Sequence, residues 1–202
     1  MLSEDNYCRY FAAHHLFKNL KTLKIVILFL LCQPAFCQDG LLPVDEQKNV
    51  VYSDVATLQK TRAEIYQKAL KWAEKTLGNF ENSATQGQAQ NGTMLINSYV
   101  PVTHSLYDYV RLDFTLHCTD NQYQVKIDKL DGTSPIRTPV RLSYKDNDAV
   151  TEKAMTLKTE TNRKKREEAE KIWKQSKADN DGINDAVYKL LANLKEYMIA
   201  EK

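Results

Sequence analysis

A chain of 202 residues, 43% hydrophobic and 27% charged, is long enough for one ordinary core, and its composition excludes both wholesale disorder and a polytopic membrane protein. Its 28 basic and 26 acidic residues give a formal charge of +2, too little for the broad positive field on which nucleic-acid binding relies. Four cysteines spread over this length make no disulfide framework.

The strongest apolar run, Ile25 to Cys32, is too short to span a bilayer, which needs about 20 apolar residues. Lys18, Lys21 and Lys24 precede it, and Pro34, Ala35 and Cys37 follow. That is the layout of a secretory signal peptide, with cleavage between Cys37 and Gln38. Residues 1–17, which place Glu4 and Asp5 where a leading segment is normally basic, read as an extension ahead of it. The alternative, lipid attachment at Cys37, is weakened by the bulky Phe36 before it. Removing residues 1–37 takes four of the 28 basic and two of the 26 acidic residues, leaving 24 of each and Cys118 as the remaining cysteine. The mature chain is therefore predicted to be neutral, to have no membrane span, and to be periplasmic, envelope-associated or secreted.

The polar lead-in over 38–49 precedes a strand over 50–56, rich in β-branched and aromatic residues. Thr61-Arg62-Ala63-Glu64 fits a capping box, in which the Thr hydroxyl and the Glu carboxylate satisfy free N–H groups at a helix start. The helix continues with Ile65, Ala69, Trp72 and Ala73 on one face, and Gly78 closes it. Asn91-Gly92 signals a tight turn between strands at 80–86 and 93–99. Pro101 interrupts the chain before its best-patterned stretch, DYVRLDFTLHCTDNQYQVKIDK at 108–129. Side chains alternate across a strand, so Val110, Leu112, Phe114, Leu116 and Cys118 share a face with Tyr123, Val125 and Ile127. A β-hairpin with one apolar and one polar face is predicted. Residues 130–140, with Asp131-Gly132, Pro135 and Pro139, read as loop, and 146–160 as a polar linker. Two helices are expected to end the chain, over 161–178 and 183–200, separated by Asp181-Gly182.

These elements predict an α+β domain over 38–145, its antiparallel sheet covered by the first helix and by the C-terminal helical segment at 161–202. The LPVDEQKNVVYSDV lead-in, the IYQKALKW helix and the RLDFTLHCTDNQYQVKI hairpin resemble a bacterial family of exported domains of unknown function with a TBP-like fold. The likeness covers roughly residues 42–130. The resemblance implies a curved antiparallel sheet with helices on one side, in envelope or secreted proteins of Gram-negative anaerobes. It implies no activity.

No motif marks a catalytic, cofactor or metal site. His117 and Cys118 are strand neighbours on opposite faces, so they cannot share a ligand. His104, Ser105 and Asp108 contain triad residue types without triad spacing. Arg163 to Arg166 are followed at once by Glu167, Glu168 and Glu170, the pattern of a solvated helix laced with ion pairs. The candidate binding face is the polar side of the hairpin: Arg111, Thr115, His117, Gln124 and Lys126. The function expected is a non-enzymatic binding or interaction module of the envelope, its partner an envelope protein or a small ligand, with no nucleic acid. One alternative is a structural or oligomerisation protein built on the C-terminal helices; the other is an enzyme with a scattered site.

Overall fold

The computed structural model describes residues 40–77 and 91–200. The signal peptide, the Gly78 helix stop and the 80–86 strand lie outside the described residues. Five strands, β1 (Tyr52–Thr57), β2 (Thr93–Pro101), β3 (Tyr109–Thr119), β4 (Gln122–Ser134) and β5 (Arg137–Arg141), form one antiparallel sheet in the order β1-β4-β3-β2. β5 also pairs with β4, beyond the start of β1 on the same flank. Three helices accompany them: α1 (Arg62–Thr76), α2 (Tyr144–Thr159) and α3 (Arg163–Ile199).

The hairpin anticipated at 108–129 is the β3–β4 pair, turning at Asp120-Asn121 between the paired residues Thr119 and Gln122. Its apolar face is buried as the two-residue period requires: Val110, Leu112, Phe114, Leu116, Cys118, Tyr123, Val125 and Ile127 are each at most 1% exposed. The Thr61 capping box is present, and α1 lays Trp72 on the sheet with its ring 5.5 Å from that of Phe114. Trp72 Nε1 donates to Asn193 Oδ1 at 2.8 Å, joining α1 to α3.

Three expectations are corrected. Residues 130–140 are not loop; β4 runs on to Ser134 and folds back into β5. The strand survives because it carries a bulge. Arg111 pairs with Asp131 and Asp113 with Asp128, so β4 spends one more residue than β3, and that residue, Lys129, has φ +50°. The extra residue inverts the side-chain parity, which turns Leu130 into the core and Asp131 to the polar face. Pro139 is tolerated because β5 is an edge strand.

The linker expected over 146–160 is instead α2, started by a capping box in which Ser143 and Asp146 exchange bonds. The two terminal helices are one. α3 passes through Gly182 unbroken, because a Cβ there would sit 2.6 Å from the carbonyl oxygen of Thr103; this glycine permits close packing rather than a stop. Its second half belongs to the domain core, with Ile183, Val187, Leu194 and Met198 nearly inaccessible.

Three asparagines fix the lead-in against the helices. Asn147 accepts from Leu42 N at 2.7 Å and donates to Leu42 O at 2.8 Å. Asn180 donates to Gly40 O and Asn184 to Leu41 O, each at 2.9 Å, while Tyr52 Oη donates to Asn184 Oδ1 at 2.8 Å. Asn180 and Asn184 are buried and Asn147 is half-buried, and all three amides are hydrogen-bonded, as burial demands. No described helix is long and apolar enough to cross a membrane.

Candidate functional site

α1 and α3 pack against one side of the sheet, with α2 packed on α3, and leave the other side to the outward residues of β1 to β4. Pairing lays these out in rows across the strands. Thr93, His117, Gln124 and Val55 form one row; Leu95, Thr115, Lys126 and Ser53 form the next. The Thr93 hydroxyl and His117 Nδ1 are 3.0 Å apart. Four of the five residues read from the sequence, Thr115, His117, Gln124 and Lys126, therefore lie together in two adjacent rows. Arg111 does not join them; it lies past Asp113, beside the bulge.

At that end of the face stands a cluster of charges. Arg111, Asp131 and Arg141 make a single cross-strand row over β3, β4 and β5. Arg141 grips the Asp131 carboxylate twice, through Nε at 2.5 Å and Nη2 at 3.3 Å, and Arg111 Nη2 reaches it at 3.2 Å. One step along, Asp113 accepts from Lys129 Nζ at 2.8 Å and from the Asn97 amide. Lys126 pairs with Asp128 at 2.7 Å.

The arrangement is layered. The carboxylate side chains of Asp131, Asp113 and Asp128 are 12%, 15% and 23% exposed, whereas those of Arg111, Arg141 and Lys129 are 62%, 58% and 63% exposed. Acids form the floor and bases the rim. Burial alone would raise the Asp131 carboxyl, but hydrogen bonds from Arg141 and Arg111, with their charges, outweigh it and hold the group below the usual carboxylate range. The hydrogen bond to Asp113 and its charge hold the Lys129 ammonium above its ordinary value.

Asn97, Arg111, Leu112, Asp113, Lys129, Asp131 and Arg141 line a depression of about 340 Å³. A second, of about 320 Å³, occupies the break between the start of β1 and the end of β5, and it shares Lys129 and Arg141 with the first. Sequence reasoning missed Asp113, Lys129, Asp131 and Arg141 as a group because the strand was ended at Lys129. The usable signal was the three-residue spacing of Ile127 and Leu130, which marks a bulge in an alternating strand.

The residues considered for catalysis in the sequence have structural surroundings. The Ser105 hydroxyl donates to Asp179 Oδ1 of α3 at 2.8 Å, a bond that docks the 102–108 loop on the helix. Cys118 is fully buried, and burial pushes its thiol up to about 12, so it carries no thiolate at neutral pH. Among the described residues no group of three or more His, Cys, Asp and Glu side chains is placed to hold a metal ion.

An open antiparallel sheet with helices on one face defines an α+β fold, and a solved neighbour shows it to be TBP-like, as the sequence resemblance implied. A TBP-like protein from Parabacteroides distasonis matches it with a TM-score of 0.53 and 19% identity, over 79% of this chain and 98% of its own. A DUF4468 family protein from Bacteroides ovatus matches with a TM-score of 0.47 and 18% identity, over 81% of this chain and 92% of its own. No family model and no curated protein matches the sequence. Likeness at this level of identity concerns the fold, and a fold does not carry a function.

Proposed function

We propose that the protein is an exported, non-enzymatic binding module of the bacterial cell envelope, and that it binds through the polar face of its sheet. The observation that carries this reading is the asymmetry of the sheet: one face is sealed under α1 and α3, while the other offers donors and charges from Thr93 to Arg141. Exposed residues of mixed chemistry on a rigid scaffold suit recognition, because ordered strands bind without an ordering cost. The charged groups lining the depression at the bulge are already paired with one another, which favours binding over catalysis. Export rests on the signal-like 1–37 segment, and the neutral charge of residues 38–202 speaks against a nucleic-acid partner.

A photo-crosslinking residue at Gln124, on the open face, tests the reading in cells. It is expected to trap a partner in the envelope fraction, with a mature N-terminus at Gln38, while the same probe at Lys71 on the exposed side of α1 traps none. Equal trapping from both positions, or a cytoplasmic chain that keeps Met1, overturns it.

A structural or oligomerising role is the second reading, favoured by Met155 of α2 and Ile172 of α3, which are 63% and 38% exposed. Deleting the chain after Thr161 cannot test it, since that removes Ile183 to Met198 from the core. Sedimentation of the Met155→Glu, Ile172→Glu double variant does so; a concentration-dependent dimer lost in that variant favours this reading over the first.

A further inference from the structure

The charge cluster at the bulge is built more elaborately than a solvated sheet face requires. Lys129 is held at φ +50°, a left-handed conformation that is costly for a residue other than glycine. A second register shift lies between Gly132 and Ser134, so Asp131 stands between two irregularities of the same strand. Bulges of this kind re-aim side chains. Here they bring Arg111 and Arg141 onto one carboxylate from opposite neighbouring strands.

Asp131 orients both guanidinium groups without exhausting them. Of the Arg111 donors, only Nη2 is engaged by a described residue; Arg141 uses Nε and Nη2 and keeps Nη1. The lining of the depression carries two guanidinium groups and one ammonium over two carboxylates, Asp131 and Asp113, and the third carboxylate, Asp128, is matched by Lys126, which leaves a local excess of one positive charge. Asn97, whose amide donates to Asp113, stands in the same wall. A carboxylate floor that fixes arginines with outward-facing donors is suited to a tetrahedral or planar oxyanion, which guanidinium groups bind through paired N–H donors.

We propose that the depression bounded by Asn97, Arg111, Lys129 and Arg141 is a binding site for an oxyanion group, a phosphate or a carboxylate, with Arg111 and Arg141 as its principal donors and Asp131 as the residue that positions them. The proposal rests on the polar sheet face being a binding surface, and it names the chemistry which that reading leaves open. The site is distinct from the His117–Gln124 row, which lies six residues beyond Arg111 along β3.

Calorimetric titration of the purified chain at low ionic strength tests it with two probes, inorganic phosphate for the phosphate source and citrate for the carboxylate source. Saturable binding of at least one is expected, weakened by added salt because the site is exposed. The ratio of the two affinities tells which source the site suits. Arg111→Gln and Arg141→Gln should each weaken it about tenfold, the loss of one charge-assisted hydrogen bond. Arg111→Lys keeps the charge and the fold but loses the planar fork, and is expected to bind at an intermediate strength. Thermal unfolding of each variant separates lost binding from lost structure.

No saturable heat with either anion, or equal affinity in the native chain and in both folded arginine variants, overturns the proposal. If the Gln124 crosslink persists while both anions fail, the binding reading stands without this site. If both fail, the polar face is solvated surface.

Discussion

Asp131 carries more of the polar face than any other single residue, because two guanidinium groups from two strands depend on its carboxylate. Its carboxyl is held below the ordinary value of about 3.9, so it stays ionised in the folded state at pH values where the unfolded chain takes up a proton. The stability it contributes is complete above about pH 4 and is lost as the pH falls through the lower, folded value. Asp146 works in the opposite sense: burial raises its carboxyl, so the folded state binds that proton more tightly and gains stability as the pH falls towards about 4. Asp131→Asn should therefore be less stable than the native chain near pH 7, and the two should converge near pH 2. Urea unfolding of both across that range reads the gap, and a gap that stays constant with pH contradicts the assignment. Strict alternation made Arg111 legible as a polar-face residue, but its partners were not, since the alternating pattern runs out at Lys129 and Asp131-Gly132 mimics a turn. A left-handed lysine leaves no compositional trace.

At the scale of elements, the parts fixed by local chemistry were the parts legible in the sequence. The Thr61 capping box, the two-residue period of β3 and β4 and the amphipathic end of α3 each follow from neighbouring side chains. The parts fixed by contact across the fold were hidden. α2 has one buried side chain, Val150, and so a weak apolar stripe; its start was marked only by Ser143 and Asp146. Gly182 looked like a break because glycine costs about 1 kcal/mol in a helix interior relative to alanine. That preference is overridden by the approach of Thr103, a backbone oxygen that cannot swing aside as a side chain could. Gly182→Ala is thus predicted to destabilise the protein by about 1–3 kcal/mol, the range for overpacking, despite its better helix propensity. Denaturant unfolding decides it, and a stabilised variant would show that α3 and the 102–105 loop are not in tight contact.

For the whole molecule, the division between a buried and an open sheet face governs everything proposed for it. The buried face is a dense apolar core shared by the sheet, α1 and the second half of α3, with its few polar groups bonded: Tyr52 to Asn184 and Trp72 to Asn193. Fold class and the direction of each face were legible because one-sided burial writes a two-residue period into the strands. The location of a site was legible only to the level of that face, because recognition depends on which rows the register brings together and where the bulges fall.

Whether the open face binds at its bulge is tested most directly by an amide NMR map of the isotopically labelled chain, recorded as inorganic phosphate and then citrate are added. Shifts concentrated at Asn97, Arg111, Lys129, Asp131 and Arg141, with Trp72, Cys118 and Leu191 unmoved, are the predicted result. Shifts centred on α1 or α3, or none on the open face with either anion, would contradict it.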